Sequence, residues 1–317
     1  MTTNAASLDL EPLDLRTPFT SAEAAAAKIS RRRLTSAEFV RLVQGIYISR
    51  NVTRTVKIRA TAALRLAPPV AIISHHTAAL LWGGAVPGSS KIHLILPAKL
   101  NCQKVGIQSH RFLHPPKSLL HQGIRITDPD RTFCDLGSYL DLVELVVLGD
   151  RFVRRSVTTP ERLRFEANNW TGDHATVLRR AALLVREGVD SPPESRLRML
   201  VVLAGLPELT VNDKIRHPTT GDVERRFELA HEALRLAIEY QGRHRRDAED
   251  VWASDIEREE EVRERRDWRI VQIISDGLNK RPLLTLRRID QARVQRGAHP
   301  VVFREEWRRF FPGDEVN

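Results

Sequence analysis

The sequence has few cysteines and no long apolar segment. Its two cysteines, Cys102 and Cys134, are too few and too far apart for a zinc ribbon and provide no disulfide framework. No apolar run approaches the roughly 20 residues that a membrane-spanning helix needs. The first residues lack the basic start and the apolar core of a secretory signal. We therefore expect a protein of the reducing cytoplasm with no membrane partner.

Several catalytic and cofactor-binding signatures are also missing. The chain contains no GxGxxG pattern and no phosphate-binding P-loop, so the sequence gives no support for a nucleotide cofactor. It contains neither a zinc-binding HExxH helix nor the turn that presents a nucleophilic serine in a Ser-His-Asp hydrolase. These absences leave no sequence basis for a zinc protease or a serine hydrolase.

Arginine is what the chain has in surplus. Lysine and arginine together number 50 against 40 acidic residues, so the formal net charge is +10. The planar guanidinium group binds phosphate well, so the surplus favours polyanionic partners; a solvated basic surface is the alternative that charge alone leaves open. With 42% hydrophobic residues, the 317-residue chain can bury the cores of two or three domains.

The N-terminal part carries a dense basic cluster. Thr20 and Ser30 can each cap a short helix, the first running to Lys28. Gly45 and the β-rich residues after it predict a strand pair. Two short helices and a strand pair resemble a winged helix-turn-helix, which implies phosphate contact, although a solvated basic face is the alternative. The predicted DNA-binding residues of this module are Arg31, Arg32 and Arg33.

The middle of the chain contains three motifs. The segment SHHTAALLWG predicts a helix capped by its serine, and its adjacent histidines are His75 and His76. Adjacent histidines do not share a helix face, so packing or capping is favoured over a metal site. The segment IHLILP predicts a short buried strand, and ITDPDRTFCDL predicts a helix capped by Asp128 that reaches Tyr139.

These three motifs resemble the AbiEi-type antitoxin family. In that family a winged helix precedes an α/β domain. The resemblance implies a DNA-binding repressor with a cognate toxin protein as a candidate partner. It covers the chain upstream of about residue 157.

The segment FELAHEALRLAIEYQ predicts a short hairpin. Because strand side chains alternate between faces, a turn centred near Ala233 places Glu228 opposite Glu239 on one face. Like charges directly across a strand pair are destabilising, so such a pair usually holds a cation or a proton. A divalent metal with oxygen ligands is the obvious candidate. Ion pairs with Arg226 or Arg235 on a solvated face are the alternative.

The hairpin belongs to a longer series of motifs. A helix with a leading acid follows the Ser-Pro-Pro boundary at residues 191–193, and a tryptophan-led strand begins near residue 268. The matching residues, in order, are Glu194; Glu228; Glu239, Tyr240, Gln241 and Gly242, with His244; Trp252, Asp255 and Arg258; and Trp268, Arg269 and Ile270. Over residues 191–285 this order resembles the very-short-patch-repair branch of the PD-(D/E)xK endonuclease superfamily.

The resemblance implies a site that hydrolyses a phosphodiester with a divalent metal. Its catalytic residues would be Glu194, Glu228, Glu239, Gln241 and His244. The three glutamates would bind Mg²⁺ or Mn²⁺, Gln241 would position water, and His244 would assist proton transfer because its ordinary pKa is near neutrality. The arginines expected to bind substrate phosphates are Arg243, Arg245 and Arg246.

Two residues depart from the family pattern. Gln241 occupies a position where lysine, or an acid in this branch, is usual, and glutamine supplies no charge. Glu228 occupies a position where aspartate is usual and carries its carboxylate on a longer stem. Either departure is compatible with altered metal geometry or with an inactive site. As alternatives, Glu194 is a first-turn acid that complements the helix dipole, and His244 is a capping or surface histidine.

The sequence therefore predicts a multi-domain α/β protein associated with DNA. The predicted parts are a loose tail at 1–15, a winged helix-turn-helix at 16–56, an AbiEi-like α/β domain at 57–157, a helical connector at 158–190, an endonuclease-like domain at 191–290 and a C-terminal tail at 291–317. The predicted activity is magnesium-dependent endodeoxyribonuclease. The alternatives are a catalytically inactive antitoxin-type repressor and a module that neutralises a toxin through its middle domain.

Overall fold

The structure is a computed structural model that describes residues 13–216, 221, 223–241 and 267–313. The described helices are α1 (Ser21–Ala26), α2 (Arg31–Leu34), α3 (Val56–Leu64), α4 (His75–Leu81), α5 (Pro129–Asp135), α6 (Leu142–Arg154), α7 (Pro160–Asn169), α8 (Ala175–Leu184), α9 (Pro192–Leu203), α10 (Ser275–Asn279) and α11 (Pro282–Gln295). The described strands are β1 (Phe19–Thr20), β2 (Phe39–Val43), β3 (Ile46–Ser49), β4 (Ile72–Ile73), β5 (Ile92–Pro97), β6 (Ile107–Phe112), β7 (Ser118–His121), β8 (Ile124–Thr127), β9 (Thr210–Arg216), β10 (Val223–His231), β11 (Leu236–Gln241) and β12 (Arg269–Ile274). This mixture confirms the predicted α/β class. No helix among the described residues is both long and apolar enough to span a membrane.

The chain forms two compact units. The first comprises residues 1–82 and 87–135, and the second comprises residues 83–86 and 136–317. The first contains β1–β8 with α1–α5, and the second contains α6–α11 with β9–β12. The finer division into domains stays a prediction. Its boundary between residues 290 and 291 falls inside α11.

The first unit begins with an antiparallel sheet in the order β1-β3-β2. Thr20 caps α1: its Oγ1 accepts the Glu23 N–H at 3.1 Å, and the Glu23 carboxylate accepts the Thr20 N–H at 2.7 Å. Ser30 caps α2, because its Oγ accepts the Arg33 N–H at 3.2 Å. Both predicted caps are confirmed. Helix α1 ends before Lys28, contrary to the prediction, because Lys28 has a left-handed backbone with φ of 59°.

A buried apolar cluster lies between this sheet and its helices. Its members are Phe19, Ala24, Ile29, Leu34 and Phe39. The rings of Phe19 and Phe39 meet edge to face, with centroids 5.5 Å apart. Gly45 connects β2 to β3 with φ of +80°, a conformation that favours glycine. The predicted glycine-turned strand pair is confirmed.

The rest of the first unit is built on a five-stranded mixed sheet in the order β6-β5-β4-β8-β7. The predicted buried strand is β5, in which every residue of Ile92–Leu96 is buried. Asp128 caps α5 as predicted, because its Oδ1 accepts the Arg131 N–H at 2.7 Å. The α-helix ends at Asp135 rather than at the predicted Tyr139, and a short 3-10 helix follows it.

Helices α6–α9 open the second unit. A buried ion pair joins α6 to α9: Arg198 Nη2 lies 3.1 Å from Asp150 Oδ2, and each side chain is 1% exposed. Ser195 Oγ donates to the same carboxylate oxygen at 2.8 Å, and the Arg186 N–H donates to the other at 2.8 Å. Because a buried charge without partners is costly, this network fixes the position of α9 against α6.

A four-stranded sheet in the order β12-β11-β10-β9 completes the second unit. Strands β9, β10 and β11 pair antiparallel, whereas β11 and β12 are parallel. A 3-10 turn over Glu232–Leu234 connects β10 to β11, and Leu229 pairs with Ile238. This register is the one that a turn centred near Ala233 requires, so the predicted hairpin is confirmed. Helix α9 packs against β10 and β11.

Part of the predicted site lies outside the described residues. These residues are Gly242, Arg243, His244, Arg245, Arg246, Trp252, Asp255 and Arg258. Trp268 is described and is buried just before β12. Its ring contacts that of Phe227, with centroids 4.7 Å apart, so it belongs to the core of the second unit.

Candidate functional site

Glu228 and Glu239 lie side by side on the central strands of the second unit. The β10–β11 pairing extends from His231–Leu236 to Leu229–Ile238, and the two glutamates are the next residue on each strand. The Tyr240 N–H donates to Glu228 Oε2 at 2.6 Å, so the Glu228 carboxylate reaches the backbone just beyond Glu239. The hairpin therefore brings the two predicted metal ligands together as neighbours across adjacent strands.

The two glutamates differ in exposure. Glu239 is 9% exposed and sits on β11 between β10 and β12, whereas Glu228 is half-buried. A carboxylate in such surroundings needs hydrogen bonds or a cation to offset its lost hydration. The two arginines considered as alternative partners contact other acids: Arg226 Nη2 lies 2.7 Å from Asp190, and Arg235 Nη1 lies 4.0 Å from Asp267.

Glu194 occupies the first turn of α9. Its backbone N–H donates to the Ser191 Oγ at 3.4 Å, and its Oε2 accepts the Asp190 N–H at 3.0 Å. Burial raises the pKa of this carboxyl, whose residue is 5% exposed. The structure thus gives Glu194 the capping contacts expected of a first-turn acid, on the helix that covers β10 and β11.

The described residues contain no group of three or more His, Cys, Asp and Glu side chains that could hold a metal ion. The predicted set of Glu194, Glu228 and Glu239 is therefore not assembled in the described geometry. The pair of Glu228 and Glu239 fits Mg²⁺ by donor type, because this ion often takes only one or two carboxylates together with water and substrate phosphate. Gln241 lies two residues after Glu239 and so on the same face of β11.

Arg33 differs from the other two predicted DNA-binding arginines on α2 because it pairs with an acid. Arg31, Arg32 and Arg33 are all exposed. Arg33 donates two hydrogen bonds to the Glu38 carboxylate, at 2.8 and 2.6 Å, and this contact raises the pKa of its guanidinium. Among the described residues, Arg31 and Arg32 form no ion pair.

The first unit contains a cluster of four histidines that the sequence did not predict. The rings of His75 and His110 stack with centroids 3.6 Å apart, and His93 Nδ1 lies 3.0 Å from His110 Nε2. The ring of His76 lies 4.8 Å from that of His93. Burial lowers the pKa of His93 to about 3 and that of His110 to about 4. These two rings are therefore neutral near pH 7, which favours the packing interpretation.

A cleft of about 590 Å³ in the second unit is the other feature that sequence reasoning missed. Its lining residues are Val153, Arg154, Ser156, Thr158, Thr159, Glu187, Gly188, Asp190, Asn212, Lys214 and Arg226. They come from the end of α6, two loops and strands β9 and β10. No local pattern could have predicted it, because residues more than 70 positions apart in the sequence meet there only when β9 and β10 pair.

No model of a protein family matches the chain, and no curated protein matches it. The likenesses to the very-short-patch-repair and AbiEi-type families therefore stay predictions from the sequence motifs. Along the chain, a helix with Glu194 precedes a strand with Glu228, a strand with Glu239 and Gln241, and the strand that follows Trp268.

Proposed function

We propose that the chain is a DNA-associated, metal-dependent phosphodiesterase with its site at Glu228 and Glu239. The observation that carries the proposal is that Glu228 and Glu239 are the next residues on β10 and β11 after the Leu229–Ile238 pair. Two acids of like charge on neighbouring central strands are costly unless a cation or a proton joins them. Helix α9, with Glu194 in its first turn, packs against the same two strands.

Glu228 and Glu239 would hold the divalent cation. A bound Mg²⁺ or Mn²⁺ would supply a Lewis acid that polarises a phosphate oxygen and offsets developing negative charge. The Tyr240 N–H fixes one oxygen of Glu228 and so orients its carboxylate. Glu239 is nearly buried, which makes a neighbouring cation more favourable than it would be in water.

The remaining residues of the site have supporting roles in this proposal. Gln241 orients the attacking water, because its amide both donates and accepts hydrogen bonds. Glu194 stabilises the start of α9 and adds acidic character near the strands. His244 assists proton transfer, and Arg243, Arg245 and Arg246 bind substrate phosphates, as the resemblance implies. These last four residues lie outside the described residues.

DNA contact in this proposal begins at the first unit. The N-terminal module presents Arg31 and Arg32 on the capped helix α2, and both are exposed. Lysine and arginine side chains that neutralise phosphates supply most of the affinity for nonspecific DNA and make it depend on salt. Replacing both arginines by alanine should therefore weaken duplex binding and lower its salt dependence.

A second candidate function is DNA binding without cleavage, as in an antitoxin-type repressor with a toxin partner. One observation favours it: Arg31 and Arg32 are exposed on α2 in the first unit, whereas Glu228 and Glu239 belong to the second. Gln241 also supplies no charge where a lysine would. A protein of this kind would bind duplex DNA through Arg31 and Arg32 and would leave it intact with any divalent metal.

Plasmid cleavage in Mg²⁺ or Mn²⁺ separates the two candidates. Wild type is compared with E228Q/E239Q, which keeps the size of both side chains, and with E232Q, which removes an exposed glutamate from the turn of the same hairpin. We expect wild type and E232Q to nick or linearise the plasmid and E228Q/E239Q to lose activity by about 100-fold or more.

Each result of this comparison has one meaning. Equal cutting by all three proteins would place the activity elsewhere or in a contaminant. Binding without cutting, tested on duplex, mismatched and single-stranded DNA, would select the repressor. Circular dichroism of the three proteins establishes that a loss of cutting is not a loss of folding.

A further inference from the structure

Asp190 joins two arginines in the cleft of the second unit. Arg154 Nε lies 2.7 Å from Asp190 Oδ1, and Arg226 Nη2 lies 2.7 Å from Asp190 Oδ2. The aspartate side chain is 22% exposed, whereas the side chains of Arg154 and Arg226 are 52% and 51% exposed. Each oxygen of one carboxylate thus accepts a bond from a different guanidinium, at the wall of a cleft large enough for a ligand.

A phosphodiester group matches this arrangement chemically. It carries one negative charge and two non-bridging oxygens, as a carboxylate does, and guanidinium groups bind both anions with charge-assisted hydrogen bonds. The two arginine side chains are half-exposed, so an incoming phosphate can reach their guanidinium groups and compete with the aspartate. We infer that Asp190 occupies the binding position of a substrate phosphate and that the cleft binds a nucleic-acid strand.

Other groups in the cleft fit the same ligand. Lys214 supplies a further cation on the wall that β9 contributes. Asn212 adds an amide that can donate to phosphate or sugar oxygens.

The cleft adjoins the candidate catalytic residues. The Asp190 N–H donates to Glu194 at 3.0 Å, and Arg226 precedes Glu228 by two residues on β10. The inference rests on the proposed function in this respect, because it assigns the substrate of that site as nucleic acid and gives the path of the strand. Asp190 would then compete with the substrate phosphate for the two guanidinium groups.

Opposite changes in affinity test this inference. Binding of a short fluorescein-labelled duplex and of its single strand is measured by anisotropy in metal-free buffer, so that no cleavage is needed. All variants carry R31A/R32A to reduce binding by the first unit. We expect D190N to raise the affinity for DNA by about threefold to fivefold. We expect R154A or K214A to lower the affinity by a similar factor and to reduce its salt dependence by the equivalent of about one phosphate contact.

Matched controls separate these effects from net charge. D276N removes a carboxylate from a different exposed ion pair, with Lys280 at 3.1 Å, and R287A removes an exposed arginine from α11. An increase for D190N well above that for D276N, with a loss for R154A above that for R287A, supports the inference. Equal effects of D190N and D276N, or no binding by any variant, would overturn it. A failure here leaves the cleavage comparison of E228Q/E239Q intact, because that experiment reads a different pair of residues.

Discussion

The two units bury ionisable side chains in different ways. In the first unit, His93 and His110 are packed together with their pKa values lowered by burial, so they avoid repulsion by losing their charge near pH 7. In the second unit, Asp150 is buried beside Arg198 and two further donors. The buried histidines stay uncharged as long as the pH is above their lowered pKa values. The buried Asp150 carboxylate stays charged, so it is stable only while its hydrogen-bond and ion-pair partners are present. The two units should therefore respond to different perturbations.

Removing a partner from the charged network should have the largest effect. R198A leaves Asp150 buried without its arginine, and we expect it to lower the free energy of unfolding by about 3–5 kcal/mol. R180A is the control, because Arg180 pairs with Glu306 at the surface. Chemical denaturation followed by tryptophan fluorescence measures both. A loss for R198A no greater than that for R180A would contradict the importance of the buried network.

Magnesium should stabilise the second unit if Glu228 and Glu239 hold it. Wild type should gain about 2.7 kcal/mol when Mg²⁺ is present at about 100 times its dissociation constant. E239Q should gain much less, because it removes one of two carboxylate ligands, and E232Q should respond as wild type does. Thermal melting with and without Mg²⁺ makes this measurement without any substrate. An equal response of all three proteins would place the cation elsewhere.

Mild acid should destabilise the first unit through its histidines. Their pKa is 6.5 in the unfolded chain and about 3 to 4 in the folded one, so the unfolded state binds more protons as pH falls below 6.5. Stability is therefore lost progressively from pH 6.5 to about pH 4. Burial raises the pKa of Asp135 to about 6. Below that pH the Asp135 carboxyl is protonated in the folded state more than in the unfolded state, and this opposes the loss of stability.

The contribution of the histidines is isolated by comparison with H93Q/H110Q. Hydrogen exchange in peptides from β5, measured at pH 7 and pH 5, reports on the first unit alone. We expect the loss of protection in acid to be smaller in the double variant than in wild type. If both lose protection equally, groups other than these histidines cause the acid sensitivity.

The surface ion pair of α2 should show the smallest effect on stability. E38Q releases Arg33 from its two hydrogen bonds, and we expect an unchanged melting temperature because both side chains are solvated. Duplex affinity should rise by about twofold, since a third arginine of α2 becomes available to phosphate. Anisotropy measures this, with D276N as a charge control, because Asp276 also belongs to an exposed ion pair. A fall in affinity would show that Glu38 positions Arg33 for DNA rather than withholding it.

Local signals in the sequence predicted the features that short segments determine. Thr20 and Ser30 cap helices because their hydroxyls reach the third residue of the following turn. The β10–β11 register follows from apolar alternation and turn length, so the adjacency of Glu228 and Glu239 could be predicted. The predicted elements do not include the amphipathic helix α11, although Leu286, Ile289 and Ala292 are buried at helical spacing.

Features that depend on tertiary contacts could not be predicted in this way. The histidine cluster joins α4, β5 and β6, and β6 has no regular apolar alternation to indicate a strand. Asp190 meets Arg154 and Arg226 only after α6, a loop and β10 have folded together. The hydrogen bond from the Asp190 N–H to Glu194 joins residues four positions apart, so it is a local feature. The burial of the Glu194 side chain depends instead on the packing of α9 against the sheet.

The parallel pairing of β11 with β12 affects how the protein is made. Leu236, Ala237 and Ile238 are fully buried, yet the partner strand on one side begins only at Arg269. During synthesis, β9–β11 therefore leave the ribosome before β12 does. Until residues 269–274 emerge, the apolar outer edge of β11 lacks the strand that pairs with it. A chain that stops before Arg269 would keep that edge open permanently, which makes it a substrate for chaperones and proteases and prone to aggregation.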